Sequence, residues 1–210
     1  MRTIYLVRHG ESEGNAGPTY QNDNTVLTEK GRQQAAFVAE RTKKLPIEAL
    51  IASTMVRAQQ TAEIIASEVG LSIESSDLFV ERRRPSEQID QMKDDLAVIA
   101  AEAGIIASGS APGMRYSDEE NFDDLKARSR LALTLLENHP KDTLLVVSHG
   151  VFLRNLMAQA IFGDALTGPE CGAILDTFTA SNTGLSVLRY DPTKTKPWSI
   201  LTWNDHAHLG

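Results

Sequence analysis

Thr143-Leu144-Leu145-Val146-Val147-Ser148-His149-Gly150 is the stretch on which the fold turns. Its apolar residues run on without alternation, which is the pattern of a strand buried on both faces. Strands of that kind belong to parallel sheets covered by helices on either side. A helical pattern from about Val151 to Phe162 follows at once. The first residues repeat the design: positions 3–8 are a short apolar run ending at Arg8, and Arg8-His9-Gly10-Glu11-Ser12 come next.

Between these two anchors, short runs alternate with longer helical stretches. A polar loop from Gly10 to Asn24 precedes a helix from Thr28 to Leu45, with Ala35, Val38 and Leu45 on one face. Ile47 to Ala52 reads as a strand. Met55, Ala58, Ala62, Ile65 and Val69 then step by three and four residues, and Gly70 stops that helix. Ile73 to Val80 reads as a third strand. Residues 86–108 and 117–138 read as helices, separated by Ser108 to Gly113. Ser117 to Glu120 has the form of a capping box for the second, with Phe122, Leu125, Ala132 and Leu136 as its buried stripe. Ile174–Phe178, Leu185–Tyr190 and Ser199–Trp203 read as short closing strands. The pattern predicts an α/β fold: a three-layer sandwich with a mostly parallel central sheet covered by helices. One domain over residues 1–210 is expected, with residues 82–128 as a helical lid insertion.

Composition bounds the setting. Of 210 residues, 41% are hydrophobic and 23% charged, enough apolar material for a core without disulfides or metals. Cys171 is the single cysteine and reads as a core or loop residue, so a reducing compartment fits. The opening apolar run is too short for a signal peptide, and nothing approaches the roughly 20 apolar residues of a membrane span. A cytoplasmic protein is expected. The net charge of −7 argues against a nucleic-acid partner and requires that any anionic ligand be held by a local positive pocket. His206 and His208 lack a third ligand and read as tail rather than as a metal site; no metal and no cofactor are expected.

In sheets of this class, sites gather at the carboxyl ends of strands. Arg8-His9-Gly10 and Ser148-His149-Gly150 leave two such ends. Arg57 sits in the first turn after a third, and Glu81 follows the run ending in Phe79-Val80. Two arginines, two histidines and a carboxyl are a set suited to phosphoryl transfer. The arginines supply bidentate positive contacts to phosphate oxygens, and one neutral imidazole attacks phosphorus. A carboxyl, Glu81 ahead of Glu11 and Glu87, protonates the leaving oxygen. Gly10 allows backbone N–H groups to approach closely. Arg82, Arg83 and Arg84 read as a solvated loop pairing with Glu87, Asp90 or Asp94, with a grip on a second anionic substrate group as the alternative. Glu119, Glu120, Asp123 and Asp124 read as acids placed at a helix N-terminus.

Leu6-Val7-Arg8-His9-Gly10-Glu11-Ser12, with Asn15 three residues on, resembles the first motif of the histidine phosphatase superfamily, the phosphoglycerate mutase-like fold. Ser53 to Ala62, centred on Arg57, resembles its second arginine motif, and Val147-Ser148-His149-Gly150 its second histidine motif. Asn182-Thr183 is similar to a later, weaker element. The resemblance implies His9 as phosphorylated nucleophile, Glu81 as proton donor, and Arg8, Arg57 and His149 as the phosphate pocket. Ser12 and Asn15 would be secondary contacts. The segment after Glu81 departs from the mutase pattern and looks more like the phosphatase branch. The expectation is therefore a metal-independent phosphatase acting on a small phosphomonoester. A phosphoglycerate mutase-type phosphotransferase and a non-catalytic phosphate-binding module are the rivals. No G-x-G-x-x-G or P-loop pattern follows any strand, which leaves a nucleotide-binding reading unsupported.

Overall fold

The computed structural model describes residues 1–108 and 113–210; most of the separator expected at Ser108–Gly113 lies outside them. Six strands form one sheet: β1 (Arg2–Arg8), β2 (Ala49–Ala52), β3 (Ile73–Ser75), β4 (Thr143–Ser148), β5 (Leu185–Tyr190) and β6 (Trp198–Asp205). Seven α-helices accompany them among the described residues: α1 (Glu13–Ala16), α2 (Glu29–Thr42), α3 (Val56–Val69), α4 (Leu96–Ser108), α5 (Phe122–Asn138), α6 (Gly150–Phe162) and α7 (Gly168–Thr177). The strand order is β3-β2-β4-β1-β5-β6. The β3–β2, β2–β4 and β4–β1 pairs are parallel, while β5 runs antiparallel to β1 and β6 antiparallel to β5.

Alternation along the central strands builds the layers. Ile4, Leu6, Leu144 and Val146 pack with Leu125, Leu133 and Leu136 of α5 and Phe152 and Leu156 of α6. Val7, Leu145 and Val147 pack on the other face with Val38 of α2 and Ala58, Ala62 and Ile65 of α3. All of these side chains are buried. Burying each full-sized aliphatic side chain is worth about 1.5–3 kcal/mol, so the sheet is held from both sides. The expected three layers and mostly parallel sheet are what the chain forms. No helix among the described residues is long and apolar enough to cross a membrane.

Several boundaries differ from the sequence reading: α2 ends at Thr42 rather than Leu45, and α1 interrupts the loop expected from Gly10 to Asn24. The run Ile73 to Val80 is a strand only over three residues. Ser76 then accepts a hydrogen bond from the Leu78 N–H, turning Asp77–Phe79 into a 3-10 helix, so Glu81 arrives on a loop rather than from a strand end. The helix expected over 86–108 begins only at Leu96, after a 3-10 turn at Ser86–Gln88. The helix expected over 117–138 starts at Phe122. Its cap is Asn121, whose side chain accepts from the Asp124 N–H while Asp124 accepts from the Asn121 N–H. Ser117 instead donates to Glu87. Finally, Ile174–Phe178 is not a strand but the end of α7 and its C-cap. Thr167 and Glu170 form a capping box at the start of that helix, with Pro169 in its first turn.

Candidate active site

Register places the two histidines. Arg8 pairs with Ser148 in the parallel β1–β4 ladder, so the residues that follow, His9 and His149, leave the sheet side by side. The His9 N–H continues the ladder to the Ser148 carbonyl at 2.9 Å. Their ring centroids lie 5.0 Å apart, and both rings are buried, at 1% and 0% exposure. His9 Nδ1 sits 2.7 Å from the Gly10 carbonyl, which only accepts. Nδ1 therefore carries the proton and Nε2 keeps its lone pair. Burial first, then the positive charges of Arg8 and Arg57, hold His9 well below the ordinary histidine value of 6.5. Burial, Arg57 and His9 do the same to His149. Both imidazoles are thus neutral at physiological pH. His149 Nε2 meets Ser53 Oγ at 2.7 Å, where the end of β2 lies beside β4.

The arginines are held mostly by main-chain oxygens, which leaves their charge uncancelled by any direct ion pair among the described residues. Arg8 donates to the Ala180 carbonyl at 2.6 Å, and Arg57 to the Asn22 carbonyl at 3.0 Å. Arg57 is 1% exposed, and burial pulls it down to about 10, still protonated at neutral pH. Arg8 Nε, Arg57 Nε and His149 Nδ1 are buried without a hydrogen-bond partner among the described residues. Unpaired buried polar groups are costly, and three in one cluster fit a pocket completed by an anion.

Glu81 faces the same space by another route. Its carboxylate accepts from the N–H groups of Val151 and Phe152, at 3.1 and 2.9 Å, and from its neighbour Arg82. Those two N–H groups belong to the first turn of α6, whose N-cap His149 supplies no side-chain cap. Glu81 does so in its place. Glu11 and Glu87 do not reach the site. Glu11 bonds Lys30 and Thr28, and its hydrogen bond from Lys30 keeps it below the usual carboxylate range. Glu87 bonds Ser117 at the surface.

Arg8, Asn15, Arg57 and Glu81 line one cavity of about 1000 Å³. Its other charged walls include Arg82, Arg83, Arg84, Lys93, Arg128 and Arg154, against the acids Asp23, Asp77, Asp118 and Glu120. Cations outnumber acids there in a chain whose net charge is −7. Ser12 does not line it; this buried hydroxyl donates to Gln21. Asn15 accepts from the Ser12 N–H and from Asn182. At Gly10 the need for glycine is packing. A Cβ would stand 2.3 Å from the Gly31 carbonyl oxygen in the first turn of α2, and the Gly10 N–H is already bonded to Thr61. At Gly150 a side chain would press on the Arg8 guanidinium, 3.3 Å away.

The arginine triplet is only partly the expected solvated loop: Arg83 is exposed, but Arg82 and Arg84 are partly buried, and among the described residues none of the three pairs with Glu87, Asp90 or Asp94. Arg84 pairs with Glu102 of α4 at 2.7 Å and stacks 4.0 Å above the Tyr20 ring, while all three arginines line the cavity. Of the acids read as belonging to a helix N-terminus, Asp123 and Asp124 stand in the first turn of α5, whereas Glu119 and Glu120 are buried just before its N-cap. Glu120 pairs with Arg128, which also donates to the Leu78 and Val80 carbonyls and so holds the loop leading to Glu81. Cys171 is a core residue of α7, donating to Asn155, and burial raises its thiol to about 11. Arg128, Arg154, Asn22 and Tyr20 went unseen in the sequence. They reach the cavity from helix and loop positions that carry no motif.

Comparison with known proteins bears on the family and the fold. The model of the histidine phosphatase superfamily (branch 1) matches residues 4–206. A protein of Enterobacter sp. (strain 638) named "Probable phosphoglycerate mutase GpmB" is 36% identical over 172 residues, covering 77% of this chain and 75% of its own. YhfR of Bacillus stearothermophilus superposes with a TM-score of 0.81 at 25% identity over 100% of both chains. A mycobacterial glucosyl-3-phosphoglycerate phosphatase superposes with a TM-score of 0.78 at 22% identity, over 97% of this chain and 99% of its own.

Proposed function

The chain belongs to the histidine phosphatase superfamily, and on that footing we propose that it is a phosphatase hydrolysing a small phosphomonoester through a phosphohistidine on His9. One observation carries the reading: His9 is buried and neutral, with its Nδ1 proton fixed on the Gly10 carbonyl, so that Nε2 keeps its lone pair under the positive charges of Arg8 and Arg57. In the first step Nε2 attacks phosphorus and the ester P–O bond breaks. The departing oxygen takes its proton from the Glu81 carboxyl. In the second, water attacks the phosphohistidine, Glu81 accepts the water proton, the P–N bond breaks, and inorganic phosphate leaves with His9 neutral again. Arg8, Arg57 and His149 hold the phosphoryl oxygens and supply the positive charge that the step demands. Asn15, at the cavity wall, is a secondary contact; Ser12 acts behind it, through its own N–H.

A mutase-type phosphotransferase is the second reading. The names of the sequence relatives favour it. So do Arg82 and Arg83, which line the cavity without a side-chain hydrogen bond or ion pair among the described residues and suit a second anionic group. The test is ³¹P NMR of the protein with 3-phosphoglycerate, sugar phosphates, nucleotides and phosphoamino acids. Release of inorganic phosphate is expected; conversion of 3- to 2-phosphoglycerate without it would establish the mutase instead.

A further inference from the structure

Residues 180–184, between α7 and β5, wrap the backbone of Arg8 and His9. The Thr183 N–H donates to the Arg8 carbonyl at 2.9 Å, and the Asn182 side-chain amide to the His9 carbonyl at 2.9 Å. The Ala180 carbonyl holds the Arg8 guanidinium. Thr183 is fully buried with φ 56°. A β-branched residue rarely adopts that left-handed conformation, and it persists only where neighbours over-determine it.

Those neighbours come from the last residues of the chain. Asn204, itself at φ 53°, accepts from the Ser181 N–H at 2.7 Å, and Trp203 Nε1 donates to the Thr179 carbonyl at 2.7 Å. His208 Nε2 lies 3.1 Å from Thr183 Oγ1, and its Nδ1 lies 3.4 Å from an Arg41 guanidinium nitrogen. Hydrogen-bond accounting fixes the tautomer. Thr183 spends its one hydroxyl proton on the Asn182 carbonyl at 2.8 Å, so its oxygen accepts from His208. Nε2 of His208 therefore carries the proton, and Nδ1 offers its lone pair to Arg41, which Asp205 holds by an ion pair. A histidine that read as tail is the outer end of a chain of contacts running His208–Thr183–Asn182–His9.

We propose that His208 is a positioning residue for His9: through Thr183 and Asn182 it fixes the loop that sets where the His9 ring stands. The inference rests on His9 being the nucleophile. Misplacing a reacting group by an ångström costs on the order of 100-fold in rate. His208→Ala should slow phosphorylation of His9 by roughly 10- to 100-fold in single turnovers with p-nitrophenyl phosphate. The substrate concentration for half-maximal rate should stay within about twofold, because Trp203 and Asn204 still hold Thr179 and Ser181 on either side of the Ala180 carbonyl that fixes Arg8. His208→Gln keeps an N–H for Thr183 and an oxygen for Arg41, and should restore most of the rate. Circular dichroism melts set a temperature at which every variant is folded. A wild-type rate in His208→Ala, or a Gln variant as slow as the Ala variant, would overturn the positioning role. If the wild-type chain takes no phosphate on His9 at all, the nucleophile assignment fails and this inference goes with it.

Discussion

Replacing Glu81 by glutamine removes the proton donor while nearly keeping its shape, and the structure sets what each part of that change should cost. Oε1 accepts from the Arg82 and Phe152 N–H groups and Oε2 from Val151. Glutamine keeps one oxygen for the first two and turns an NH₂ toward the third, leaving one donor of α6 unpaired. Leaving that part-buried donor unpaired costs about 1–3 kcal/mol. For a chain of this size each kcal/mol lowers Tm by roughly 2–4 °C. The variant should therefore remain folded at 25 °C with a Tm several degrees lower. Its chemistry should suffer more. General acid catalysis is worth on the order of 10²–10⁴ in rate, and that loss should appear in His9 phosphorylation by an alkyl phosphate, whose leaving oxygen needs a proton. p-Nitrophenolate leaves without one, so phosphorylation by p-nitrophenyl phosphate should fall far less. Dephosphorylation should stay slow, giving a burst of p-nitrophenol. Rapid-quench single turnovers with both substrates separate the steps. Equal losses in the first step for both substrates would refute the acid role and leave Glu81 as the cap of α6 only.

Three further outcomes are expected. His9 and His149 are held below 6.5 in the folded chain and return to about 6.5 when unfolded. The unfolded chain then binds more protons as pH falls, so stability is full above pH 6.5 and is lost below it, by about 1.4 kcal/mol per histidine at pH 5.5. Urea titrations at pH 7.5 and 5.5 check this, and equal midpoints would contradict it. Arg82→Ala should raise KM roughly tenfold for substrates with a second anionic group and leave p-nitrophenyl phosphate unaffected, the worth of one charge-assisted hydrogen bond; a uniform effect on both would count against that contact. Dialysis against EDTA should leave turnover unchanged, and activity restored only by added magnesium or zinc would assign the chemistry to a metal.

The centre of this fold was legible because its central strands have no choice of face. Leu144 to Val147 are apolar at every position, and the residues that end β1 and β4 carry the histidines out together. What failed was local. Ile174 to Phe178 is a short apolar run that strand and helix share, and the deciding signal, Thr167 with Pro169 and Glu170, lies seven residues earlier. Ser117 to Glu120 matched a capping box by spacing, yet Arg128 holds the Glu120 carboxylate, and the capping box forms one step later between Asn121 and Asp124, whose carboxylate Arg115 also holds. The cavity's remaining cations were invisible for a different reason. Arg128 and Arg154 sit on helices at positions that look solvated, and only the packing of α5 and α6 on the sheet turns them inward. His208 lies 199 residues from His9 in sequence and reaches it through two intermediates.

The central claim is the covalent one, and rapid-quench trapping with ³²P-labelled substrate tests it most directly. Wild-type protein should carry one acid-labile, base-stable phosphate, mapped by mass spectrometry to His9, and His9→Ala should carry none. Label that persists in His9→Ala, or that maps to another residue in the wild type, would contradict the assignment of the nucleophile.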